Sequence, residues 1–173
     1  AQTNAWRQDH QGYVATGIKA WKRPHMRRFF CSDMPVQFAR TAARARAKAA
    51  KSGRKPMIWA NDPAAQQGDW VRVEDGFLRS RGLGAQLIPP LSLVCDDLGI
   101  YYDPRRESRL EQLIGASPAL PEQSVERAKR LRTSLQRANL SKYNLDGRAL
   151  PDLPVGHRIL VPGQVEDDAS ILK

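Results

Sequence analysis

Apolar residues along the chain follow two spacings in turn. Within residues 36–50, Phe38, Ala42, Ala45 and Ala49 recur at intervals of three and four, which predicts a helix with one narrow apolar face. Gly53 suits the position just past its end. Residues 55–60, KPMIWA, are a short apolar run of the kind that forms a buried strand. Asn61 or Asp62 then caps a short helix running to Gln67, with Pro63 at its first position. Residues 70–73, WVRV, return to β-forming character. Helix, strand, short helix, strand is the rhythm of a parallel sheet with crossover connections, so an α/β, Rossmann-like class is expected.

Outside this segment the pattern predicts a looser set of elements. Residues 1–15 are polar and aperiodic and read as linker or the cut edge of a longer chain. Residues 16–21 suit a short strand or turn, and Pro24 opens a helix. Residues 91–94 read as a strand, 96–99 as a turn and 100–102 as the returning strand of a hairpin. Asp96 and Asp97 fit there as turn formers that bond their own backbone. Residues 108–114 read as a helix with Leu110, Leu113 and Ile114 inward. Residues 121–140 form the clearest helix, with Val125, Ala128, Leu131 or Arg132, Leu135 and Ala138 as a stripe at helical spacing and Ser124 as a candidate cap. After a loop punctuated by Gly and Pro, residues 158–161 read as a second buried strand.

Charge changes this picture in one respect. The 173 residues carry 28 Lys and Arg against 18 Asp and Glu, a net charge of +10, which points to an anionic partner. Arg40, Arg44 and Lys48 crowd the helix of residues 36–50 and Lys51 follows it, a face suited to solubility, to anionic lipid or to nucleic acid. A nucleic-acid binder needs stacking aromatics or a known fingerprint among its cations; neither occurs, so no nucleic-acid partner is expected. No run of 18 apolar residues predicts a membrane span. Cys31 and Cys95 lie far apart without metal spacing and read as reduced, buried thiols.

The candidate chemistry sits where strands end. Residues 70–84 read WVRVEDGFLRSRGLG, a strand broken by Glu74, Asp75 and Gly76 and followed by the donors Arg79, Ser80 and Arg81. Residues 158–170 repeat the plan: apolar RILV, then PGQVEDDAS with Glu166, Asp167 and Asp168. Open α/β sheets place ligands beyond the carboxyl ends of their strands. Two such acidic ends converging on one crevice would suit displacement at an anomeric carbon, one carboxylate attacking and the other moving the proton. A divalent-metal site and purely structural caps and turns remain open beside it. No histidine accompanies either cluster, so zinc is not expected, and no metal is assigned to the site.

The blocks VEDGFLRSRGLGAQLIPPLSLVCDDLGIYYDPRRESRLEQLI, LSKYNL and ILVPGQVEDDASI, with GIKAWKRPHMRRFF upstream, resemble the capsule polysaccharide export family of KpsC type. The resemblance spans residues 16–173. It implies half of a GT-B-type glycosyltransferase module that transfers β-Kdo from CMP-Kdo, with retention, to a lipid-linked acceptor. Residues 16–156 would form the acceptor-side Rossmann-like domain, and residues 157–173 would lead toward a donor-binding domain absent from this chain. Glu74 or Asp75 would be the general base, and Asp168 the nucleophile. Arg79, Ser80, Gln164, Glu166 and Asp167 would bind substrate. No cofactor is implied beyond the CMP-Kdo donor. The implied partners are an anionic glycolipid, the capsule export machinery and the inner face of a Gram-negative inner membrane, which Arg40, Arg44, Lys48 and Lys51 would touch from the cytoplasm. The alternatives are a non-catalytic scaffold in capsule export and a basic nucleic-acid-binding domain, the latter without the aromatic positions or fingerprint it would need.

Overall fold

The computed structural model describes residues 11–31, 33–145, 152–159, 161 and 163. Its centre is a five-stranded sheet in the order β2-β1-β3-β4-β5. The strands are β1 (Tyr13–Thr16), β2 (Gln37–Phe38), β3 (Lys55–Trp59), β4 (Val71–Asp75) and β5 (Leu93–Asp96). The first four run parallel, as the alternation of elements predicts; β5 pairs antiparallel with β4 at the edge. The helices are α1 (Arg23–Phe29), α2 (Ala42–Ser52), α3 (Arg109–Ala116) and α4 (Glu122–Arg137).

The interior strand β1 falls partly within the segment expected to be linker. All four residues of β1 are buried, with β2 on one side and β3 on the other. A parallel strand covered on both faces shows no polar alternation, and four residues are too few to stand out from a polar leader. The sheet separates two apolar layers. Tyr13, Ala15, Met57, Trp59 and Val73 pack with Met26 of α1 and with Phe30, just past its end, on one face. Val14, Ile58 and Trp70 pack with Ala45 and Ala49 of α2 on the other.

Helix α2 begins later than its periodicity suggests, because Phe38 belongs to β2. The Thr41 side chain accepts from the Arg44 N–H at 3.3 Å and so starts the helix, and Gly53, at φ 65°, stops it. Asp62 caps the 3₁₀ turn Pro63–Gln66 as expected.

The expected hairpin after β5 does not form. Asp96 Oδ1 accepts from the N–H groups of Leu98 and Gly99, both at 2.8 Å, and Oδ2 accepts from the Arg109 N–H at 2.7 Å. One buried carboxylate thereby turns the chain out of the sheet and fixes the start of α3. Ile100, expected in the return strand, is instead a buried anchor.

Further expectations are corrected. Leu113 and Ile114 of α3 are each 60% exposed, and the stripe of α4 is also largely exposed, with Leu131 at 57%. Pro121, not Ser124, stands at the cap position of α4. Residues 152–159 contain no strand, and Ile159 and Val161 are exposed. Cys31 is exposed rather than buried, whereas burial pushes the Cys95 thiol up to about 12. No helix among the described residues is long and apolar enough to cross a membrane.

Candidate functional site

A cleft of about 330 Å³ opens beyond the carboxyl ends of β1, β3 and β4. Gly17 follows β1, Trp59 and Asn61 come from the end of β3, and Asp75 closes β4. Lys19, Trp21 and Lys22 enter from the segment between β1 and α1, and Arg79, Gly84, Ala85 and Leu87 from the loop after β4. Three adjacent parallel strands thus deliver the lining to one crevice, the place where open α/β sheets hold ligands.

Asp75 joins the two sides of the cleft. Its Oδ1 accepts from Lys22 Nζ at 3.1 Å, and its Oδ2 accepts from Arg79 Nε at 2.6 Å. Lys22 also rests its ammonium on the Trp59 ring, 3.6 Å from the centroid. Burial lowers the Lys22 pKa, and Asp75 partly restores it. Arg79 is only 1% exposed, yet Nη1 donates to Ser80 Oγ at 2.7 Å. Ser80 Oγ in turn donates to the Gly82 carbonyl at 2.7 Å. Ser80, expected to touch substrate, does not line the cleft: its hydroxyl holds the guanidinium.

The loop carrying Arg79 is pinned from a distance. The Lys142 carbonyl accepts from the N–H groups of Arg79 and Ser80, the Tyr143 carbonyl accepts from Gly82, and Asn144 Nδ2 donates to the Ser80 carbonyl. The LSKYNL segment therefore acts as a clamp on the cleft wall rather than merely ending α4.

Glu74 is placed differently. Successive strand residues face opposite sides of the sheet. Asp75 shares the face of Val71 and Val73, while Glu74 shares that of Arg72. Glu74 does not line the cleft. Burial raises its pKa; the Asp75 N–H, donating to Oε1 at 2.9 Å, pulls in the other direction. The Tyr102 hydroxyl, its own pKa raised by burial and then by the Glu74 charge, neighbours it. The carboxyl with the raised pKa and the carboxylate in the cleft are thus two different groups.

Of the expected site residues, the structure brings Asp75 and Arg79 together at the cleft and sets Glu74 and Ser80 behind it. Gln164, Glu166, Asp167 and Asp168 lie outside the described residues. Arg40, Arg44, Lys48 and Lys51 are all exposed. Sequence reasoning missed Lys19, Trp21, Lys22, Trp59 and Gly84 as cleft residues. A signal existed for Lys22, which stands in the basic, aromatic stretch before Pro24, but nothing local tied it to Asp75, 53 residues away.

A family model for the capsule polysaccharide biosynthesis protein matches residues 51–153, more than half of the chain. The chain belongs to the capsule polysaccharide biosynthesis protein family. It is 39% identical to the lipopolysaccharide-processing protein LpsZ of Rhizobium meliloti, with 90% of this chain and 39% of LpsZ covered. It is 38% identical to the capsule polysaccharide modification protein LipA of Neisseria meningitidis, with 90% of this chain and 23% of LipA covered. The chain therefore spans well under half of either relative. Two solved structures share its fold. The β-Kdo 2,7 transferase of Thermosulfurimonas dismutans KpsC superposes with a TM-score of 0.67 at 29% identity, over 93% of this chain and 51% of that one. The KpsC β-Kdo 2,4 transferase of the same organism superposes with a TM-score of 0.63 at 28% identity, over 83% of this chain and 45% of that one. The α/β, Rossmann-like class expected from the sequence is the class observed, with one antiparallel edge strand added.

Proposed function

We propose that this member of the capsule polysaccharide biosynthesis family supplies the acceptor-side half of a GT-B-type, retaining β-Kdo transferase. The observation that carries this reading is the likeness to two Kdo transferases, each matched over about half its length. The position of the cleft beyond three parallel strand ends agrees with it.

In the proposed reaction an Asp168 oxygen attacks the anomeric carbon of Kdo. The bond from that carbon to the CMP phosphate oxygen breaks, and CMP leaves with the electron pair. The acceptor hydroxyl then attacks the same carbon, its proton passes to a base, and the ester to Asp168 breaks. Two inversions give net retention. Glu74 and Asp75 are the candidates for the base. Asp75 faces the cleft; Glu74 has the raised pKa but reaches the reaction only if a substrate approaches from its side of the sheet. Gln164, Glu166 and Asp167 are assigned to substrate binding around the nucleophile. The donor is CMP-Kdo, and no further cofactor is required by these steps.

The acceptor is proposed to be an anionic glycolipid at the inner membrane surface, where the exposed cations Arg40, Arg44, Lys48 and Lys51 would attract lipid headgroups. Vesicle binding by this route weakens steeply with salt.

The test is intact-mass analysis of the intact protein after incubation with CMP-Kdo, followed by addition of acceptor. The reading predicts one covalently attached Kdo that is discharged onto acceptor and is lost in Asp168→Asn. No adduct and no transfer would favour a scaffold in capsule export instead.

A further inference from the structure

We propose that the cleft contains a seat for the carboxylate of an acidic sugar, built from Arg79, Lys19 and Lys22, with Trp21 as the wall for the sugar ring. The proposal deepens the transferase reading and rests on it for the identity of the sugar. The seat itself rests on geometry.

Arg79 is the residue that calls for a ligand. Its Nε and Nη1 are bonded to Asp75 and Ser80, but buried Nη2 has no hydrogen-bond partner among the described residues. A guanidinium donor shut away from water without an acceptor is costly, and its fork is shaped to meet a carboxylate. Bonds at Nε and Nη1 fix the plane of the fork, so the third donor is held in place before any ligand arrives. Gly84 packs closely against this guanidinium. A Cβ at that position would stand 2.7 Å from Nη2 and 3.1 Å from Cζ. The backbone at Gly84 has no positive φ, so close approach to Arg79, rather than conformational need, explains a residue without a side chain there.

The charge balance of the lining agrees. Lys19, Lys22 and Arg79 face a single carboxylate, Asp75. Three cations and one anion leave a net charge of +2 in the cleft. Both cations beside Asp75 are held by it, which keeps them from collapsing outward when the cleft is empty. The ring of Trp59 is already covered by the Lys22 ammonium, whereas half-buried Trp21 lies farther from it, with its centroid at 5.5 Å. An indole beside a cationic seat suits a pyranose bearing one carboxylate: the apolar face of the ring takes the indole, and the acid takes the guanidinium.

The carboxylate could belong to an acidic sugar of the acceptor or to the sugar of the donor. Binding to the intact protein is therefore measured with four probes: free Kdo, Kdo methyl ester, CMP-Kdo and inorganic phosphate. The indole N–H resonances report on the tryptophans. The expected result is that Kdo binds and shifts the Trp21 signal, that the ester binds about ten-fold more weakly or worse, and that phosphate competes poorly. Gly84→Ala, which crowds Nη2 without altering charge, and Trp21→Ala, on the cleft rim, should each weaken Kdo binding severalfold. CMP-Kdo binding that falls in parallel assigns the seat to the donor; CMP-Kdo binding that is unaffected assigns it to the acceptor. Equal binding of acid and ester, or Kdo binding unchanged in both variants, overturns the seat. Transfer assays on the same proteins keep the two ideas separate. Acid-selective binding without any transfer removes the transferase reading and leaves the seat; transfer with an unchanged KM in both variants removes the seat and leaves the transferase.

Discussion

Glu74 and Asp75 are neighbours in sequence and occupy opposite settings in the fold. Asp75 lines the cleft and holds Lys22 and Arg79, one on each oxygen. Glu74 turns to the other face of β4, where burial raises its pKa beside Tyr102. An acidic pair at a strand end is therefore not one site. The pleat divides it, giving one side of the sheet a carboxylate fixed by cations and the other a carboxyl that holds its proton more strongly.

Substitutions at the two corners should separate them. The largest effect is expected from Asp75→Asn, which leaves Arg79 and Lys22, with side chains 1% and 12% exposed, without their anion. A loss of about 3 kcal/mol in urea unfolding is expected, together with loss of Kdo binding. A loss no greater than that of an exposed-surface substitution would break the contrast. Ser80→Ala removes the acceptor for Arg79 Nη1 and should cost about 1–2 kcal/mol. Because the guanidinium would be less firmly held, the variant should also bind Kdo more weakly, although Ser80 does not line the cleft.

Glu74→Gln should have the smallest effect, and of opposite sign. Between the ordinary carboxyl pKa of 4.5 and its raised value, the folded protein keeps a proton that the unfolded chain has released. Glu74 therefore makes stability fall as pH rises through that window, and the loss persists above it. Gln avoids the buried charge, and its amide oxygen can still accept the Asp75 N–H. Urea melts should show the variant equal to or slightly more stable than the parent at pH 7, with any advantage shrinking toward pH 4. An advantage that grows on acidification would contradict the placement of Glu74.

How much of this was legible depended on the range of the forces involved. Helix α2 and strands β3 and β4 announced themselves because their apolar spacing and Gly53 are local signals. The same kind of periodicity misled in α4. Ala45 and Ala49 of α2 are buried against Val14, Ile58 and Trp70, whereas Leu131 of α4 is 57% exposed. Periodicity reveals which face of a helix is apolar, not what covers it. The hairpin was misread because Asp96 bonds forward to Arg109, a contact no short window contains. At the site, Glu74 and Asp75 were legible as carboxyl groups at a strand end and Arg79 as a donor in the loop after it. Their division between two faces follows from strand alternation. The partners Lys22 and Trp59 and the clamp from Lys142 to Asn144 required the fold.

The central claim is that the Asp75 side of β4, and not the Glu74 side, receives the sugar. A crystal structure of the intact protein with Kdo bound tests it most directly. The account predicts the sugar acid within hydrogen-bonding distance of Arg79 Nη2, with its ring against Trp21. A sugar seated beside Glu74 and Tyr102, with the cleft between Lys22 and Gly84 left empty, would contradict it.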